Sequence, residues 1–320
     1  MSSRIKEEFC INLFNKGLDE FDKKNYSAAL TYFFNSGFKD NPTYHNISLC
    51  YLNIGDSFYN LRNFNEAKKY YNYCLSYAND TNIKNKSNNM IKNCDANVIF
   101  DKASNFFDKE NFIDAFKLYD EAEQIFANDE DIKICQENKG HCIYNYSCVL
   151  MDDSKTESDY NTVIDLYKKA KGFYNDKINK DLCVTQIKKC RSYKYKIKAE
   201  ESKDINDKIF LIEKAINTWP DLDKDDFINE KSRYLYNEGI HYFNENNYEE
   251  ALNYFNKSYE ICTFNKNSEK AKLKYNMIEK SKINILNNKG CEFFKQKNYY
   301  EAKIEFSKGL DRAKNINDSN

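Results

Sequence analysis

The chain has 320 residues, of which 41% are hydrophobic and 31% charged; this is enough to build a sizeable buried core and too polar for a membrane protein. Lys and Arg number 49 against 50 Asp and Glu, so a formal charge of −1 offers no field of one sign for phosphate backbones or anionic lipid, and neither nucleic acid nor a membrane is an expected partner. Only 8 Gly and 2 Pro leave few of the turn formers that β folds need, and the chain should be mostly helix. No apolar stretch approaches the roughly 20 residues of a membrane span, and the opening MSSRIKEEFCINLF lacks the apolar core of a signal peptide. The 11 Cys residues, an odd number, fit reduced thiols, and a cytoplasmic location is expected.

A recurring phrase organises the chain, seen in NFFDKENFIDAFKLY at 105–119, HYFNENNYEEALNYF at 241–255 and EFFKQKNYYEAKIEF at 292–306. It reads as a helix end, a turn at Asn and the start of a second helix. Asn tolerates the left-handed conformation, so Asn25, Asn63, Asn111, Asn247 and Asn298 are expected to reverse the chain. In chain order the second helices carry the stripes Ala29/Phe33/Ser36, Ala67/Tyr71/Cys74, Ala115/Tyr119/Ala122, Val163/Tyr167/Ala170, Lys208/Ile212/Ala215, Ala251/Phe255/Ser258 and Ala302/Phe306/Gly309. The clearest anchors are separated by 38, 48, 136 and 51 residues, so the long gap holds the two weaker copies. Twelve positions before five of the anchors, the first helices carry Gly17, Gly55, Ala103, Gly239 and Gly290.

Seven helix pairs follow, at about 7–42, 43–80, 83–128, 131–176, 183–220, 226–263 and 268–316, in one solenoid spanning 1–320. Uninterrupted stretches such as 269–289 predict first helices longer than their partners. Pro42 and Pro220 fall just after second helices, and SKTES at 154–158 stretches the turn of the fourth pair into an expected polar loop.

The pattern resembles the tetratricopeptide repeat, in which Gly or Ala and an aromatic on the first helix meet Ala, an aromatic and Ala on the second. The third pair carries it as Ile99, Ala103, Phe106, Ala115, Tyr119 and Ala122, the sixth as Leu235, Gly239, Tyr242, Ala251, Phe255 and Ser258. The period here is nearer 45–50 residues than the family's usual length of about 34. The resemblance implies an all-α, right-handed solenoid of about seven antiparallel pairs that binds a protein or peptide in a concave groove. It also implies where that groove is lined: three before, one after and four after the small residue of the first helix. Those positions hold Phe14, Leu18 and Phe21; Leu52, Asp56 and Tyr59; Phe100, Ser104 and Phe107; Tyr236, Ile240 and Phe243; Asn287, Cys291 and Phe294. Core packing competes with ligand contact for each of these. Asn53 alone resembles a position of the family's carboxylate clamp, whose lysine is replaced by Phe14 in the first pair, and a clamp is not expected.

No phosphate loop, dinucleotide fingerprint, nucleophile elbow or HExxH occurs, and no catalysis or cofactor is expected. His141 lies near Cys135, Cys142 and Cys148, but on one predicted helix and without a CxxC pair; buried structural thiols are expected there rather than zinc. The functional expectation is an interaction module or scaffold. The alternatives are a self-assembling structural subunit and, more remotely, a helical-repeat RNA binder. Self-assembly is suggested by the last second helix, followed only by INDSN with no polar capping helix. On that helix Tyr299, Ala302, Phe306 and Gly309 should face the preceding repeat, leaving Ile304 and Leu310 uncovered as a candidate association end.

Overall fold

The computed structural model describes residues 3–221, 224–261 and 269–317. The pair junction expected between 263 and 268, and Cys262, lie outside the described residues. Among the described residues are fourteen α-helices and no strand. They are α1 (Ser3–Asp22), α2 (Tyr26–Ser36), α3 (Asn41–Asn60), α4 (Phe64–Tyr77), α5 (Thr81–Asp108), α6 (Phe112–Ile125), α7 (Asp129–Asp153), α8 (Glu157–Phe173), α9 (Lys177–Glu201), α10 (Ile205–Thr218), α11 (Asp225–Asn244), α12 (Tyr248–Ile261), α13 (Glu269–Lys295) and α14 (Tyr299–Asn317). Odd-numbered helices are the first of each antiparallel pair and run 20 to 28 residues, against 11 to 19 for their partners. The chain forms two compact units, Met1–Val149 with Leu166–Cys183, and Leu150–Asp165 with Val184–Asn320. In the first unit, each helix from α1 to α5 packs on the next, and in the second each from α10 to α13 does the same.

Five turns within pairs share one geometry, and it corrects the role expected for asparagine. The left-handed residue is the one before it: Lys24, Arg62, Glu110, Asn246 and Lys297 have φ between 58° and 62°. Two backbone bonds close each first helix, as where Arg62 N–H donates to Tyr59 O and Asn63 N–H to Phe58 O, both at 2.9 Å. This is the Schellman pattern, which satisfies carbonyls that the helix end leaves bare. The asparagine itself has φ near −87° and begins the next helix. The side-chain oxygens of Asn63, Asn111 and Asn247 accept from the N–H three residues on, at Glu66 (3.3 Å), Asp114 (3.4 Å) and Glu250 (3.4 Å), whereas Asn25 makes no such bond and its Nδ2 donates to Glu20. Asn is selected here because an N-cap needs a short acceptor, a demand that outweighs its tolerance of positive φ.

Between pairs the caps are mostly Asp or Asn. Asp40 and Asp80 cap α3 and α5, Asn128 Oδ1 accepts from Asp131 N–H at 2.7 Å and Asp176 Oδ1 from Asn179 N–H at 2.7 Å, while Asp204 caps α10 inside the fifth pair. Pro42 also sits in the first turn of α3, where its missing N–H costs nothing.

The expected SKTES loop is absent. Only 154–156 separate α7 from α8, and they are held by a reciprocal cap in which Thr156 Oγ1 accepts from Asp159 N–H while Asp159 Oδ2 accepts from Thr156 N–H. The insertion is absorbed in the helices. From Ser147 of α7 to Val163 of α8 is 16 residues rather than 12, and the connection stays at three residues, so the four added lie within the helices.

The core repeats one contact. A Cβ added to Gly17, Gly55, Gly239 or Gly290 would lie 2.6–2.7 Å from ring carbons of Phe33, Tyr71, Phe255 and Phe306 respectively, so each ring abuts bare backbone. Phe33, Tyr71, Tyr119 and Phe255 are 0–2% exposed, as are Ala29, Ala67, Ala115 and Ala251 one turn before them. Burying each ring contributes about 1.5–3 kcal/mol, and the small residue sets how closely the helices approach.

Candidate partner-binding surface

The position after each small residue follows a rule that the sequence contains but that was read there as groove lining. Where the ring is tyrosine, that position hydrogen-bonds its hydroxyl. Tyr71 Oη donates to Asp56 Oδ1 at 2.8 Å, Tyr119 Oη and Ser104 Oγ lie 3.0 Å apart, and Tyr167 Oη donates to Cys148 Sγ at 3.2 Å. Where the ring is Phe33, Phe255 or Phe306, the same position is Leu18, Ile240 or Cys291. A buried hydroxyl needs a partner and a phenyl ring does not, so these residue types are matched within each pair. Asp56 is further held by Lys86 at 3.0 Å.

Most of the other candidate groove residues pack inside their own pair. Phe14 lies against Phe33 (centroids 5.4 Å apart), Phe100 against Tyr119 (5.0 Å), Phe107 against Phe112 (5.3 Å), Tyr236 against Phe255 (5.5 Å) and Phe243 against Tyr248 (5.2 Å). Leu18 and Ile240 are half-buried in the clusters around Phe33 and Phe255. Leu52 is buried; Asn53 donates to the Leu49 carbonyl one turn back. Tyr59 Oη accepts from Asn97 Nδ2 at 2.8 Å, a bridge from α3 to α5. Asn287 is exposed.

Large apolar side chains also stand in solvent on the first helices, among them Val98, Ile134, Leu182 and Leu273, and the groove position Phe294. Three surface cavities lie beside such residues. One, of about 330 Å³ between α6 and α7, is lined by Phe112, Ile113, Phe116, Cys142, Ile143 and Tyr146, with Lys117 and Lys169. A second, of about 350 Å³ between α11 and α13, is lined by Tyr236 and Leu273 with Asn229, Glu230, Arg233, Lys270 and Lys274. Arg233 is paired with Glu230, and buried Lys274 bonds Ser232 Oγ. The third, of about 350 Å³ on the α13–α14 pair, is lined by Phe294, Tyr299, Ala302, Phe306 and Leu310 with Lys303 and Ser307.

At that third site the placement departs from expectation. Tyr299 and Phe306 are 58% and 37% exposed, although Tyr299 meets Phe294 in the first turn of α14 and Phe306 abuts Gly290. Leu310 is exposed and Ile304 half-buried.

The buried cysteines, Cys50, Cys74, Cys94, Cys135, Cys142, Cys183 and Cys190, behave as packing groups. Burial pushes the thiols of Cys50, Cys135 and Cys142 up to about 12, and those of Cys94 and Cys183 up to about 11. His141 Nδ1 lies 3.1 Å from Tyr174 Oη, whose ring it meets edge-on. Among the described residues no cluster of His, Cys, Asp and Glu could hold a metal, and no helix is long and apolar enough to cross a membrane.

The tetratricopeptide repeat family models match residues 43–81, covering α3 and α4, and 232–265, covering most of α11 and α12. The chain is a tetratricopeptide-like helical-repeat protein. No curated protein matches it. Similar solved structures include the TPR2AB-domain:pHSP90 complex of yeast Sti1, at 11% identity over 86% of this chain and 98% of that one, with a TM-score of 0.31. Yeast Tom70 is similar at 16% identity over 95% and 69%, with a TM-score of 0.22. A tetratricopeptide repeat protein from Parabacteroides merdae is similar at 13% identity over 95% and 93%, with a TM-score of 0.21. These loose likenesses place no partner on the repeats of this chain.

Proposed function

We propose that the chain is a non-catalytic protein–protein interaction module, or scaffold, that holds a peptide or helix against its first helices. The observation that carries this reading is the apolar surface those helices leave in solvent, at Val98, Ile134, Leu182, Leu273 and Phe294, beyond what ring-on-glycine packing consumes. Chemical cross-linking of a partner captured from native extract, followed by mass spectrometry, tests it: cross-links should concentrate on lysines of α5, α7, α9, α11 and α13. Cross-links confined to second helices would contradict the groove, and a captured protein that fails to bind the purified chain directly would remove the module.

A second reading has its own observation. Phe294, Tyr299, Phe306 and Leu310 form one exposed apolar site, and another copy of the chain is a natural cover for it. Analytical ultracentrifugation of wild type and Leu310→Glu decides: association lost in the variant supports it, and a wild-type monomer at high concentration excludes it.

A further inference from the structure

The cavity between α6 and α7 is a more selective feature than the groove positions, and nothing in the packing rule of the pairs requires it. Ile113, 50% exposed, stands at its rim, and half-buried Phe112, Phe116 and Tyr146 form its walls. Its lining contains two lysines and no carboxylate. Lys169 Nζ lies 5.4 Å from the centre of the Phe116 ring, and Lys117 pairs at 2.9 Å with Asp114, a half-buried residue outside the lining. Buried Lys139 Nζ also lies 5.7 Å from the centre of the Phe116 ring and is itself paired with Asp120 and Glu123. Of the three lysines around Phe116, Lys139 is buried and Lys117 and Lys169 are exposed.

We propose that this cleft is an anchor site for an acidic peptide segment, taking one large apolar side chain between Phe116, Ile143 and Tyr146 while flanking carboxylates meet Lys117 and Lys169. Charge complementarity selects this occupant: an apolar floor rewards an aromatic or branched aliphatic anchor, and a lining with two lysines and no carboxylate disfavours basic neighbours. An open cleft of about 330 Å³ suits a side chain projecting from a chain that continues over the surface. The proposal rests on the reading of the chain as an interaction module and moves the decisive contact from the first helices alone to the seam between α6 and α7.

The test uses the full chain and short random peptides displayed on phage. Retained sequences should be enriched in an apolar residue next to Asp or Glu. Synthetic copies should bind Ile113→Glu and Lys117→Glu/Lys169→Glu at least tenfold more weakly than wild type. Both substitutions alter surface groups, so an unchanged far-UV circular dichroism spectrum separates lost binding from lost fold. As a second probe, Ile113→Ala should weaken the same peptides by a smaller factor. Peptides that bind all these variants as tightly as wild type, or that carry no acidic residue, overturn the anchor site and leave the interaction module standing. Failure of the chain to retain any peptide overturns both.

Discussion

Gly239→Ala adds one carbon where the structure has no room for it. The new Cβ would lie 2.7 Å from both Cδ1 and Cε1 of Phe255, about 1 Å inside the optimal carbon separation of roughly 3.5–4.0 Å. Phe255 is 0% exposed and flanked by Tyr236 and Phe243, so it cannot swing away, and α11 must separate from α12. Overpacking of this kind costs about 1–3 kcal/mol, while alanine regains up to about 1 kcal/mol of helix propensity. The net loss is about 0.5–2 kcal/mol. Gly172→Ala is the control: nothing lies within 4 Å of its added carbon, and the same propensity should stabilise by up to about 1 kcal/mol. Gly290→Ala falls between them, since Phe306 is 37% exposed and can yield. Urea unfolding followed by circular dichroism reads all three, and a Gly239→Ala midpoint at or above wild type would refute the ring-on-glycine packing.

The hydroxyl rule predicts that Phe255→Tyr loses about 1–3 kcal/mol by placing an unpaired hydroxyl beside Ile240, and that adding Ile240→Ser recovers part of it; additive effects in a double-mutant cycle would count against the rule. Glu110, exposed at φ 61°, should gain about 0.5–1 kcal/mol on change to Gly, and Asn111→Ala should lose about 1 kcal/mol as its cap is removed, both read from unfolding midpoints. Burial would raise the Glu279 carboxyl, but bonds and charge from Lys282 and Arg312 outweigh it and hold the group below its ordinary 4.5. A depressed carboxylate stabilises above that ordinary value and loses its contribution as pH falls through the lower folded value, so wild type should lose stability below about pH 4.5 more steeply than Glu279→Gln. Iodoacetamide at pH 8 should modify exposed Cys291 rapidly while Cys50, Cys135 and Cys142 stay protected until unfolding; rapid modification of all four would show the core to be open.

Helix pairing was legible because each pair repeats a steric necessity in residue types: a small residue, twelve positions, Ala, then a ring at the fourth. The turns were legible in place and misread in mechanism, since Asn suits both left-handed backbone and N-caps and only geometry shows that Arg62 and Glu110 take the first role. The four-residue lengthening of the fourth pair was visible as spacing, yet composition suggested a loop where α7 and α8 themselves are longer. Asp56 and Ser104 carried a readable signal, their matching to Tyr71 and Tyr119 against Leu18 and Ile240 with Phe33 and Phe255, and it points inward. The α6–α7 cleft was not legible, because Ile113, Ile143 and Lys169 lie on three helices whose meeting depends on packing.

The central claim is that the chain acts by stoichiometric binding to another polypeptide. Isothermal titration calorimetry of the purified full chain with a purified partner captured from native extract tests it most directly. Saturable binding at fixed stoichiometry with a negative heat-capacity change, as burial of apolar surface requires, is the predicted result. No binding heat at several temperatures, together with no complex in the ultracentrifuge, would contradict it.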